Sequence, residues 1–227
     1  IDLNYYFERC LQQLAIKDYP DLIKGVRGTS NKEHIPEHLV KGILRAKHDV
    51  YVNKDGTTRY DMTQIPITHF KPKEIRTSIE KIKQMGYLTD IYGKELVDEE
   101  QVLELKPQDI VLPAFPDSTD LGSDIILFRV ARFVDELLQR FYGLDAYYEL
   151  QSPDDLAGHL VVALAPHTSA AILCRIIGFS KTQGFFAHPL VHAATRRDCD
   201  GDEASVTLLL DMLLNFSRQY LPAHRGA

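Results

Sequence analysis

Three carboxylates recur at every second position in the run Asp198-Cys199-Asp200-Gly201-Asp202-Glu203. Side chains at that spacing can converge on one hard cation, and the glycine lets the backbone bend tightly enough to bring them together. Arg196 and Arg197 stand immediately ahead, and an apolar, helix-like stretch, 206–216, follows. Acid for a metal beside base for a phosphate is the arrangement that phosphoryl transfer needs. A plainer reading competes, because acidic residues also cap helix N-termini and favour the positive end of the helix dipole. A calcium-binding EF-hand loop fails on spacing. Counted from Asp198, the glycine falls fourth instead of sixth, and the twelfth residue is Leu209 instead of glutamate.

The residues around the turn narrow the choice. The run His188-Pro189-Leu190-Val191-His192-Ala193-Ala194-Thr195-Arg196-Arg197, leading into the acidic turn, closely resembles the large, catalytic subunit of the archaeal D-family DNA polymerases. The resemblance continues through Leu208-Leu209-Leu210-Asp211, Leu213-Leu214-Asn215-Phe216-Ser217-Arg218 and Tyr220-Leu221-Pro222. Upstream it takes in Lys41 to His48, Thr68 to Ile75, Leu164 to Ala170 and Arg175 to Phe179. These blocks run in order over nearly the whole chain.

The resemblance implies a fold and a chemistry. The fold class is mixed α/β (α+β), a segment of a double-psi β-barrel catalytic core with surrounding helices, similar to the architecture of multisubunit RNA polymerases. Asp200 and Asp202 match the family's catalytic, metal-binding aspartates. Asp198 stands where most members are expected to carry asparagine, so it is either a third metal ligand or a turn-shaping group. The implied reaction is attack of a primer 3′-hydroxyl on a dNTP, with two Mg2+ ions at the attacking and leaving oxygens and Mn2+ able to substitute. No organic cofactor is expected, and no zinc within this segment. The implied partners are primer–template DNA, dNTP, a small subunit with 3′–5′ exonuclease activity, and a sliding clamp reached through other parts of the subunit. The chain begins at Ile1 without methionine and lacks the family's cysteine-rich zinc modules, so it reads as an internal piece, inactive by itself. A non-catalytic DNA-binding or assembly module, with the turn merely capping residues 206–216, remains the alternative. A Mg2+-dependent nuclease is a third, because the same ions can activate water.

Other residues are weaker candidates. Arg196 and Arg197 offer rigid forks of donors for phosphate, and a solvated basic pair explains them equally well. His167, Thr168 and Ser169 are candidate nucleotide contacts, although a hydroxyl at a helix N-cap explains Thr168 or Ser169 more simply. Lys24, Arg27, Lys41, Arg45 and Lys47 are candidates for the DNA backbone, against the default of a charged helix face. The pairs His34/His38 and His188/His192 have metal-like spacing but lack an accompanying glutamate, and Pro36 and Pro189 interrupt or start their helices.

Composition sets the bounds. The chain has 227 residues, 44% of them hydrophobic, and no apolar run long enough to span a bilayer. Without a signal-peptide pattern it reads as cytoplasmic, and the scattered Cys10, Cys174 and Cys199 suit a reducing compartment. Net charge is −6, but its distribution matters more. Residues 17–83 carry 14 basic and 9 acidic side chains, residues 90–155 carry 5 and 16, and residues 158–197 carry 4 and none. Two basic stretches flanking an acidic one leave room for a DNA path, and the acidic stretch could equally face a protein.

The patterning predicts helices over 2–17, 36–47 and 125–142, the last closed by Gly143, and another from Pro72 to Gly86. Lys54-Asp55-Gly56-Thr57 predicts a hairpin between strands 50–53 and 58–62. Further strands are expected at 102–105, 109–112, 160–165 and 185–187, with a helix starting at 167–169. Residues 114–123, rich in Pro, Asp, Ser and Gly, read as a linker. The expected domains are therefore 1–113, a mixed helix and hairpin region with a basic surface, and 124–227, a helix plus the part of the barrel that carries the metal turn.

Overall fold

The computed structural model describes residues 2–27, 35–116, 119–165, 171–198 and 200–217. In chain order the first elements are α1 (Leu3–Leu14), β1 (Val26–Arg27), β2 (Ile35–Pro36), α2 (Leu39–Lys47), β3 (Tyr60–Pro66) and β4 (His69–Phe70). There follow α3 (Ile79–Gln84), β5 (Leu103–Glu104), β6 (Asp109–Pro113), α4 (Ser123–Leu137), β7 (Leu160–Leu164) and β8 (Ala171–Ser180). The series ends with β9 (Phe185–Ala187), α5 (Pro189–Ala194), β10 (Glu203–Leu208) and α6 (Leu209–Asn215). Among the described residues no helix is long and apolar enough to cross a membrane.

Two compact units emerge, both discontinuous in sequence: the described residues of 1–59, 129–150 and 210–217 form one, and those of 60–128 and 151–209 form the other. In the first, helical unit, α1 starts where the Asp2 carboxylate accepts from the Tyr5 N–H at 3.1 Å. It stops at Ala15, which takes the left-handed conformation. The N-cap of α2 is His38, whose Nδ1 accepts from the Val40 N–H at 3.3 Å. Pro36, expected to open this helix, instead lies in the short strand β2.

The predicted hairpin is corrected by the same unit. Residues 53–57 do form a tight turn, with Asn53 N donating to Thr57 O at 2.9 Å. No ladder runs on from it, because the necessary backbone groups are already taken. Val50 N bonds to Arg45 O at the end of α2, and Thr58 N bonds to the buried Asp211 carboxylate at 2.8 Å.

The second unit is a closed six-stranded barrel in the order β10-β3-β9-β6-β8-β7. Pairs β3/β9 and β6/β8 are parallel and the remaining four are antiparallel, as expected of a double-psi barrel. Its strands come from both sides of residues 114–123, which fall within this unit. Every residue of β6 is buried, because one face looks into the barrel and the other is covered. The cover is the excursion 68–105, whose Phe70, Ile75, Ile82, Tyr87 and Leu103 form a core with Val111 of β6 and Ile177 of β8.

One expectation fails here. Residues 206–208 do not open the helix-like stretch expected over 206–216: they belong to β10, which closes the barrel between β3 and β7, and the helix α6 begins only at Leu209. In β10, Val206, Thr207 and Leu208 extend a strand that finds ladder partners on two sides, which outweighs a helical apolar spacing. The helix start expected at 167–169 lies outside the described residues, and residues 171–180 beyond it form the longest barrel strand. The expected helix from Pro72 to Gly86 is split by Arg76, in the left-handed conformation, into a 3-10 turn over Pro72–Ile75 and the helix α3. Helix α4 matches expectation and continues through one π-helical turn to Gly143, left-handed at φ 66°.

Candidate active site

The acidic turn joins α5 to β10 within the barrel unit. Helix α5 opens with Pro189 in its first turn and His188 as N-cap, whose Nδ1 accepts from Leu190 N at 3.2 Å. It ends where the Thr195 hydroxyl donates back to Val191 O at 3.1 Å and to His192 O at 2.9 Å. Arg196 then takes the left-handed conformation (φ 58°), reversing the chain, and Arg197 N donates to His192 O at 3.1 Å. Gly201 supplies a second positive φ, 103°, at the apex, where a residue with Cβ would be strained. The turn is tied down again at its far end, where Gln64 N of β3 donates to Asp202 O at 2.8 Å.

Beneath the turn lies a buried polar pair. Gln64 is 2% exposed and His192 fully buried, and Gln64 Oε1 accepts from His192 Nδ1 at 2.9 Å. Burial pulls the His192 pKa below its ordinary value, holding the ring neutral; the Ile65 and Ala187 carbonyls oppose that shift. Neither carbonyl takes a properly formed hydrogen bond from Nε2, which has no partner.

The carboxylates differ in setting. Asp198 and Asp200 are exposed, whereas Asp202 is partly buried with Arg197 Nη1 at 3.6 Å from its Oδ2. Among the described residues no three His, Cys, Asp or Glu side chains converge to hold a metal, so Asp198, Asp200 and Asp202 do not form a three-donor cage. Asp200 and Asp202 do offer hard oxygen donors, open to solvent and without thiolate or imidazole. Mg2+ is typically bound in this way, by one or two carboxylates with water and substrate phosphate completing the shell. The residues present fit such an open site.

This chain matches the family described as "DNA polymerase II large subunit DP2, catalytic domain" over residues 16–227. The chain belongs to this family. It is 53% identical to a protein named DNA polymerase II large subunit from Nanoarchaeum equitans over all of its own length and 19% of the relative's. The Archaeoglobus fulgidus protein of the same name is also 53% identical, again over the whole chain and 19% of the relative. The Pyrococcus furiosus protein is 57% identical over 91% of the chain and 16% of the relative. The chain thus spans about a fifth of the length of these DNA polymerase II large subunits.

Within this polymerase-family chain the other expected contacts fare differently. Arg196 is exposed beside the turn. Arg45 points inward at 6% exposure, engaged by the Glu37 carboxylate and by Gly56 O at 3.2 Å, with Phe133 under its guanidinium. Its charge serves the helical unit and is not free for phosphate. Lys47 is ion-paired to Glu136 at 2.6 Å, Lys24 is exposed, and Arg27 lies in β1. His167, Thr168 and Ser169 fall outside the described residues, as do His34 and Cys199. A cleft of about 560 Å3 in the barrel unit has an apolar floor including Ile67 and Phe186 and a rim including Lys73, Arg76 and Lys181. No residue of the acidic turn lines it, and Arg76 and Lys73 are already paired, with Asp154 at 2.5 Å and Glu100 at 2.6 Å.

Sequence reasoning missed two buried clusters. One is the Gln64–His192 pair, for which a lone glutamine in an otherwise strand-like run was the available signal. The other is Asp109, 3% exposed, which accepts from Arg175 Nε and Nη2 at 2.9 and 2.7 Å and from the Tyr87 hydroxyl at 2.6 Å. It locks β6 to β8 and to the loop after α3.

Proposed function

We propose that this chain is the part of a DNA polymerase large subunit that presents the metal-binding carboxylates for nucleotidyl transfer. The observation that carries the reading is the turn itself: Asp200 and Asp202 stand open on a bend fixed to a barrel strand at Gln64, with arginines beside them. Asp200 and Asp202 would hold Mg2+, or Mn2+ in its place. Bound there, the cations would supply charge neutralisation for a reacting phosphate and lower the pKa of an attacking hydroxyl. Arg196, exposed and without an ion pair among the described residues, would hold substrate phosphate. Arg197 keeps the Asp202 carboxylate oriented. The substrates are primer–template DNA and dNTP. A small exonuclease subunit and a sliding clamp complete the working enzyme in this reading. The helix-cap alternative loses its basis, because a strand follows the turn.

The test is primer extension by the assembled polymerase carrying Asp200→Asn or Asp202→Asn, with DNA affinity measured in parallel. Each substitution should abolish most synthesis, at a cost of several kcal/mol of transition-state stabilisation, while DNA binding persists. Near-native synthesis in both variants would make the turn structural.

A further inference from the structure

The acidic turn hangs between two anchors, and both lead to the same buried pair. Asp202 O is held by Gln64 N at 2.8 Å, and Arg197 N is held by His192 O at 3.1 Å. The side chains of Gln64 and His192 join at 2.9 Å, and Arg197 and Asp202 face each other at 3.6 Å. The four contacts form a closed ring across the base of the turn. We infer that Gln64 and His192 are positioning residues for the metal turn, their side-chain hydrogen bond setting the span across which Asp200 and Asp202 are presented. The inference rests on the metal reading of the turn proposed above.

Several features argue that the pair does more than fill the barrel. An apolar residue at either position would pack without cost, whereas a buried glutamine and histidine must be hydrogen-bonded to be tolerated. Here each is satisfied at one atom only: Gln64 Nε2 and His192 Nε2 are both buried without partners. Arg197 Nε, on the residue that faces Asp202, is unpartnered too, so three of the six such side-chain atoms among the described residues belong to the turn and its support. A barrel under no constraint but stability would not gather polar atoms in this way. Phe185, edge-on to the imidazole with ring centroids 6.0 Å apart, restricts its rotation. Rotating or removing either side chain frees α5 from β3, and with it the start of the turn from its end. Groups that orient a metal's ligands in this way typically change metal affinity by about 10- to 100-fold when lost.

The test uses the 227-residue chain and Mn2+ itself, read by electron paramagnetic resonance titration and by relaxation of the Gly201 amide, with Asp202→Asn marking the signal that belongs to the turn. Gln64→Met, close in shape but without the acceptor, should weaken Mn2+ binding at least about tenfold. His192→Leu should do the same. His192→Asn, whose side-chain N–H replaces the Nδ1 donor, should restore affinity to within about threefold of native; a purely structural role would not give that rescue. Native Mn2+ affinity in Gln64→Met, or equal loss in His192→Leu and His192→Asn, would overturn the inference. Should Gln64→Met fail to fold, the two His192 variants decide alone. If the native chain shows no Mn2+ response at the turn, the metal reading has failed, and amide hydrogen exchange judges the clamp separately. Exchange at Gly201 and Asp202 should then accelerate in His192→Leu and recover in His192→Asn, with β8 amides unchanged. Unaltered exchange would refute the clamp.

Discussion

Replacing Gly201 by alanine isolates the backbone cost of the acidic turn. At φ 103° an L-residue is strained, and such positions cost about 1–3 kcal/mol. The added methyl itself meets little, since its nearest neighbour would be Thr63 Cγ2 at 3.7 Å, an ordinary contact. Alanine also restricts the unfolded chain, which returns about 0.4–1 kcal/mol. The net loss is therefore about 1 kcal/mol, or roughly 2–4 °C in Tm for a chain of this size. Gly178→Ala makes the informative contrast. Its φ is unremarkable, but the new Cβ would lie 2.3 Å from Ile75 O and 2.5 Å from Thr77 Oγ1, so backbone must move. Overpacking of that kind costs about 1–3 kcal/mol or more. Thermal and urea melts of both variants, with a Mn2+ titration of each, separate the two causes. Gly201→Ala should lose modest stability and metal affinity together, whereas Gly178→Ala should lose stability without a specific effect at the turn. A Gly201→Ala chain as stable as native, with unchanged metal affinity, would refute the strained-turn geometry.

Two further outcomes follow from the buried charges. The Glu136 carboxyl is held down at about 2 by its hydrogen bond to His48 Nε2 at 2.7 Å and by Lys47, against its partial burial. Because the folded value lies below the ordinary 4.5, its stabilisation is present above that range and fades as pH falls from about 4.5 through about 2. Allowing for solvent screening, about 1–2 kcal/mol should disappear over this window; unfolding free energies of native and Glu136→Gln should converge there, and parallel pH curves would contradict the assignment. Asp109→Ala should cost about 3 kcal/mol, because it leaves Arg175 and the Tyr87 hydroxyl without their buried partner; a change under about 0.5 kcal/mol in a urea melt, the scale of an ordinary surface substitution, would show that the cluster contributes little.

The acidic turn, α1, α4 and the strands at 109–113, 160–164 and 185–187 were legible because their signals are local. Asp-x-Asp-Gly-Asp declares a tight bend, and Asp2 and Gly143 mark helix ends. Residues 206–208 read as helix because their state is decided by neighbours far along the chain. A run such as Glu203-Ala204-Ser205-Val206-Thr207-Leu208 is a strand because Thr63 and Leu164 wait on either side of it. Arg45 shows the matching limit for sites. Its place in a basic helix suggested a phosphate contact, and only the fold brings Glu37 and Gly56 to its guanidinium. The Gln64–His192 link joins residues 128 positions apart, which no spacing rule reaches.

The central claim is that Asp200 and Asp202 bind a divalent cation at this turn. A Mn2+ titration of the isotope-labelled chain, followed amide by amide, tests it most directly. The account predicts that Gly201 and its neighbours broaden first, at low Mn2+, and that Asp200→Asn with Asp202→Asn abolishes the effect. Broadening spread evenly over the exposed carboxylates, unchanged by those two substitutions, would contradict it.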